Sequence, residues 1–105
     1  MTDTKLLQQI TRTIVERFHP RRIILFGSHA RGEAKADSDL DLFVEMETPA
    51  RPPERAIAVS SAFGLRPWSL DVAVYTPEEV RKLRGINGTL LSLIEGEGKV
   101  LYERS

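Results

Sequence analysis

Between Arg21 and Val44 the chain reads RRIILFGSHARGEAKADSDLDLFV: an apolar run, a Gly-Ser step, ten residues, and then Asp39-Leu40-Asp41 opening a second apolar run. Side chains alternate across a strand, so Asp39 and Asp41 share one face while Leu40 and Leu42 share the other. Ile23, Ile24, Leu25 and Phe26 are apolar without interruption, as in a strand covered on both faces or nearly so. Gly27 breaks that strand, Ser28 to Arg31 make a short helical turn, and Gly32 ends it. A buried strand handing over to a helical turn leaves backbone N–H groups pointing outward, a geometry that suits phosphate. Two carboxylates on one strand face can hold magnesium.

The rest of the chain supplies the fold around this stretch. Leu6, Leu7, Ile10, Ile14 and Phe18 recur at three- and four-residue steps, predicting an amphipathic helix from Thr4 to Phe18 that Thr2 or Thr4 caps and Pro20 stops. His19 belongs to that stop signal and has no second ligand at metal spacing. A second strand is expected over Asp39 to Met46, a stiff extended connection through Pro49, Pro52 and Pro53, and a helix from Glu54 to Leu65 with Gly64 as its stop. Leu70 to Tyr75 has period two, with Leu70, Val72 and Val74 on one side and Asp71, Ala73 and Tyr75 on the other. Thr76-Pro77-Glu78-Glu79 is a strong helix start, and that helix runs to about Arg84. Another helix is expected over Thr89 to Glu95, separated by Gly96 and Gly98 from a last strand at Lys99 to Glu103. The fold class is therefore α/β (α+β): a sheet that packs its Leu and Val face on helices and carries aspartates on the other.

Composition narrows the function classes. At 105 residues the chain is expected to be one domain, too small to include a second domain that clasps a large substrate. Hydrophobic residues at 41% and charged residues at 29% are ordinary for a soluble globular protein. No apolar run approaches a membrane span, and no signal peptide is expected. The absence of cysteine removes disulfides and thiolate zinc sites and is compatible with a cytoplasmic location, so any metal must be bound by oxygen. Fifteen basic and fifteen acidic residues leave no net charge, which argues against direct binding of long nucleic acid.

Asp71 adds a third carboxylate to the face that holds Asp39 and Asp41. Three carboxylates crowded together repel unless a cation or a proton intervenes. Magnesium takes a few protein oxygens and completes its octahedron with water and phosphates, so these three aspartates suffice for one or two ions. Gly27 lets a triphosphate approach the backbone, Ser28 and the following amides donate to its oxygens, and Arg31 adds a planar charged donor. Taken singly these signals are weak, since Gly-Ser is usually just a turn and Asp-x-Asp is common at solvated strand ends. Their combination at this spacing is what points to phosphoryl chemistry.

The stretch GSHARGEAKADSDLDL resembles the Gly-Ser, ten residues, Asp-x-Asp signature of the DNA polymerase β nucleotidyltransferase superfamily. With SLDVAVYT, the closing GKVLYE and the small size, the chain resembles the minimal nucleotidyltransferases, or MNT proteins, of the HEPN/MNT toxin-antitoxin type. The resemblance implies a nucleotidyltransferase fold with a mixed four-stranded sheet, helices packed on one face and the active-site carboxylates on the other. It also implies that Asp39 and Asp41 hold the metals, that Asp71 helps activate the acceptor hydroxyl, and that Gly27 and Ser28 hold the triphosphate. Ala30-Arg31-Gly32 and Ser38 match the minimal proteins' usual form, while His29 falls at a loose position and receives no role.

The same resemblance implies an antitoxin that transfers AMP from ATP to a tyrosine of a HEPN ribonuclease toxin, using Mg2+. Leu90 to Ile94 holds more leucine than one helix face needs, which is compatible with a partner and more readily with a core. Two other readings remain open: nucleotidyl transfer to a small-molecule hydroxyl, and a binding-only antitoxin with a vestigial site.

Overall fold

The structure is a computed structural model that describes residues 3–35 and 37–104. Helix α1 spans Thr4–Phe18 and opens on Asp3, whose carboxylate accepts from the Lys5 and Leu6 amides. Asp3 thus takes the capping role expected of Thr2 or Thr4; Thr4 is already helical, and Thr2 lies outside the described residues. The helix ends at His19, which adopts a left-handed conformation at φ 50°, and Pro20 prevents its continuation.

Strand β1 covers Arg22–Phe26, the single turn α2 Ser28–Arg31, and β2 Leu40–Glu45, so Asp39 precedes β2 instead of opening it. Helix α3 spans Pro52–Ser61, two residues earlier than expected at its start and shorter at its end. Prolines are welcome in a first turn, where the N–H they lack has no intrahelical acceptor. Then come β3 at Leu70–Tyr75, α4 at Pro77–Leu83, α5 at Leu90–Glu97 and β4 at Lys99–Glu103. Thr76 forms a reciprocal capping box with Glu79. Gly96, expected to end α5, lies within it.

The strands stand in the order β3-β2-β1-β4, with β2 and β3 parallel and the other two pairings antiparallel. Alternation along each strand sorts the core. Ile23, Leu25, Leu42, Val44, Val72 and Val74 pack against Ile10 and Ile14 of α1 and Val59 of α3. Ile24 and Phe43 point the other way and pack with Val80 of α4 and Leu91 and Ile94 of α5. The expected four-stranded mixed sheet is present, but helices cover both faces: α4 and α5 lie over the same face that carries Asp41 and Asp71. The reason is that Phe43 follows Asp41 at period two on β2, as Tyr75 shares a face with Asp71 on β3, and these rings require cover. The carboxylates therefore occupy one end of that face.

Partly buried ion pairs knit the layers. Arg55, only 7% exposed, donates to Glu79 at 2.7 Å, to the Ala50 carbonyl at 2.7 Å and to the Val74 carbonyl at 3.4 Å. Arg22 reaches Glu45 at 2.9 Å and Glu95 at 3.2 Å and lies over the Phe43 ring.

Candidate active site

Register brings the aspartates together. Asp41 and Asp71 are direct partners in the parallel β2–β3 ladder, so their side chains leave the same face of adjacent strands about 4.8 Å apart. Leu40 and Leu42 are buried on the opposite face, as alternation requires. Asp39 is exposed one residue ahead of β2, in the segment that the Leu40 amide pins to the Ser69 carbonyl at 2.9 Å. The Asp41 carboxyl is pushed above the usual carboxylate range, first by burial, then by Asp71 and then by Asp39, with His29 and Arg31 opposing.

The pairing of Asp41 with Asp71 on adjacent strands is the arrangement that a cation fits. Among the described residues no three or more His, Cys, Asp or Glu side chains already converge as a cation cage. The carboxylates nonetheless share one end of one face and one field, and their hard oxygens are the donor set that magnesium prefers.

Gly27 sits at the end of β1 with φ 76° and ψ −156°. A Cβ there would collide with Asp41 Oδ2 and lie 3.0 Å from its Cγ, so glycine is demanded by both the backbone and the neighbouring carboxylate. Since Phe26 pairs with Asp41 across the β1–β2 ladder, the Gly-Ser turn and the aspartates form one continuous surface. The turn is closed by Gly27's carbonyl, which accepts from the Ala30 and Arg31 amides at 3.1 Å each. With only one turn, α2 contributes little dipole of its own.

The anion-binding capacity of this turn is visible in what it already holds. The Gly27 N–H donates to Glu97 Oε2 at 3.0 Å, and the same oxygen accepts from Arg31 Nη1 at 2.9 Å. Arg31 Nε also donates to Glu33 at 2.8 Å, and these two carboxylates, Glu33 first, raise the Arg31 pKa. Ser28 opens α2 and is half-buried, its carbonyl accepting from the Gly32 and Glu33 amides.

The structure thus brings Gly27, Ser28, Arg31, Asp41 and Asp71 to one end of the sheet, with Asp39 close enough to act on Asp41. Two further residues join them to which the motif assigns no role. His29 hydrogen-bonds to the Ser38 carbonyl at 3.2 Å, tying α2 to the segment that presents Asp39. Glu97 arrives from α5, and one local signal marks it: an acid in a helix's last turn opposes the macrodipole and calls for a cationic partner elsewhere.

Several known proteins are similar to this chain. A protein adenylyltransferase, MntA, of Thermococcus cleftensis is 59% identical over 32 residues, covering 30% of this chain and 32% of that protein. A putative protein adenylyltransferase of Methanocaldococcus jannaschii is 41% identical over 46 residues, covering 43% of this chain and 54% of that protein. The matched stretches therefore span about a third and about half of those relatives' lengths. A putative nucleotidyltransferase from Sulfolobus solfataricus superposes with a TM-score of 0.65 at 20% identity, covering 95% of this chain and 79% of that one. A toxin-antitoxin structure with AMP-PNP superposes at 0.60 and 22% identity, covering 94% and 74%. At these identities the superpositions establish the fold. The nucleotidyltransferase-domain family profile matches residues 7–103, which include every element from β1 to β4 and all but the first turn of α1. The chain, with its Gly-Ser turn set against paired aspartates, belongs to the nucleotidyltransferase domain family.

Proposed function

We propose that this protein is a Mg2+-dependent adenylyltransferase that moves AMP from ATP to a hydroxyl, a tyrosine of a HEPN toxin being the acceptor, and so acts as an antitoxin. The observation that carries this reading is the side-by-side placement of Asp41 and Asp71 beside a glycine turn whose N–H already binds an anion. Support for the acceptor class comes from two relatives named as protein adenylyltransferases and from the fold shared with a toxin-antitoxin structure.

In this mechanism the acceptor oxygen attacks the α-phosphorus, the bond to the β-phosphate bridging oxygen breaks, and pyrophosphate leaves. Asp39, Asp41 and Asp71 would hold magnesium, which would supply charge neutralisation and polarisation of the phosphoryl oxygens. Gly27 and Ser28 bind the triphosphate tail and keep it in line, and Arg31 balances its charge. Asp71, the more exposed of the paired aspartates, accepts or steers the acceptor's proton. Leu90 and Leu93 are 44% and 52% exposed, while Leu91 and Ile94 are buried, so half of the leucine-rich segment remains outside the core. This outward pair supports a protein acceptor over a small molecule.

The test is incubation with labelled ATP, magnesium and a HEPN partner. An AMP mass increment on the partner, lost in Asp41→Asn, is the expected result, with transfer falling by about a hundredfold or more. Wild-type transfer by that variant overturns the metal assignment. Label on a small hydroxyl compound, or a tight complex without label, overturns the acceptor.

A further inference from the structure

We infer that Glu97 is an internal stand-in for nucleotide phosphate, a carboxylate that competes for the Gly27 N–H and the Arg31 guanidinium and thereby sets the affinity of the site for triphosphates. The inference rests on the nucleotide reading above and concerns a residue outside the Gly-Ser and aspartate motifs. One carboxylate oxygen, Oε2, takes both donors, at 3.0 Å from Gly27 and 2.9 Å from Arg31, and the side chain is only 19% exposed. A single N–H cannot serve this oxygen and a phosphate at full strength. Two anions within hydrogen-bond reach of the same donor would also stand close enough to repel strongly. Occupation by Glu97 and by phosphate therefore exclude each other.

The exchange calls for rotation of the Glu97 side chain and for no movement of its backbone. The backbone after Glu97 is fixed, because the Gly98 N–H donates to the Ile94 carbonyl at 2.8 Å and a Cβ on Gly98 would strike Ile24 and Ile94. Beyond that fixed point β4 is paired with β1. Arg31 retains Glu33 when Glu97 swings away, so it stays partnered at the site. Glu97 does not serve its own helix, since a negative charge at a helix C-terminus is unfavourable. Its position follows from the cationic and N–H donors it meets across the sheet's end.

The experiment compares the wild-type chain with Glu97→Gln and Glu97→Ala by calorimetric titration of three probes: ATP with magnesium, inorganic tripolyphosphate and adenosine. Both variants are expected to bind ATP and tripolyphosphate about tenfold more tightly, the scale of one charge-assisted hydrogen bond released, with no gain for adenosine. In the transfer assay KM for ATP falls while kcat does not. Thermal melts identify a misfolded variant, and the other then decides. Equal or weaker triphosphate binding by a folded variant overturns the inference and makes Glu97 a prop for Arg31. A wild-type chain and variants that all fail to bind ATP and tripolyphosphate overturn the nucleotide reading itself.

Discussion

Asp41 is poised against the stability of its own fold. Its carboxyl lies above the usual carboxylate range because burial and then the charges of Asp71 and Asp39 disfavour ionisation. A raised native pKa means that this group's favourable contribution is fully present below its unfolded pKa and is lost as pH rises through the native value. Once ionised, Asp41 therefore weakens the folded state. Asp41→Asn should melt higher than the wild type at pH 7, the direction set by removing a crowded, partly buried charge. The gain should shrink as pH is lowered through the Asp41 titration, and a lower melting temperature at pH 7 would contradict it. Loss of transfer with a gain in stability is the signature of a residue kept for chemistry.

The aspartates and Gly27 are legible in the sequence because their placement depends on local rules. Period two puts Asp41 and Asp71 opposite the buried Leu42 and Val72, and a glycine at a strand's end reports a backbone no other residue takes easily. Glu97 is not legible in the same way: 70 residues separate it from Gly27, and their meeting depends on how α5 and β4 dock. Asp3 displaces the expected threonine caps for a simpler reason, since neighbouring polar residues compete for one role and only geometry selects between them.

Among the elements, α3, β3 and α4 depend on one buried cation. Arg55 bonds the Ala50 carbonyl ahead of α3, the Val74 carbonyl of β3 and Glu79 of α4. Arg55, with the Thr76 amide and hydroxyl, holds the Glu79 carboxyl below its usual range. Arg55→Ala removes a donor from two carbonyls and from the Glu79 carboxylate and should cost about 2–3 kcal/mol, read from the urea midpoint. A depressed native pKa stabilises above the unfolded pKa and loses that effect as pH falls through the native value, so the difference should narrow in acid. A midpoint unchanged at pH 7 would refute the role. Strand and helix order is readable from periodicity. The covering of both sheet faces is not, because Phe43 and Tyr75 suit a strand by propensity alone, and only the packed fold shows that their rings also need partners.

At the scale of the whole molecule, fifteen basic and fifteen acidic residues balance, so recognition of a partner falls to shape and apolar contact more than to net charge. Leu90 and Leu93 project from α5, the helix that ends in Glu97. Replacing both with serine should leave the melting temperature within about 2 °C, since exposed side chains contribute little to the fold. If the proposed HEPN toxin is the acceptor, the same double variant should lose stable association with it, measured by co-elution. Unimpaired co-elution would place the interface elsewhere.

The pairing of β4 with β1 also bears on how the molecule is made. Strand β1 emerges early in synthesis and can pair at once with β2, but its other edge stays open until residues 99–103 follow. Until then β1 presents an unpaired edge. Closing β4 onto that edge also carries Glu97, two residues ahead of β4, to the Gly27 N–H, so the last strand to be made completes both the sheet and the anion contact at the turn.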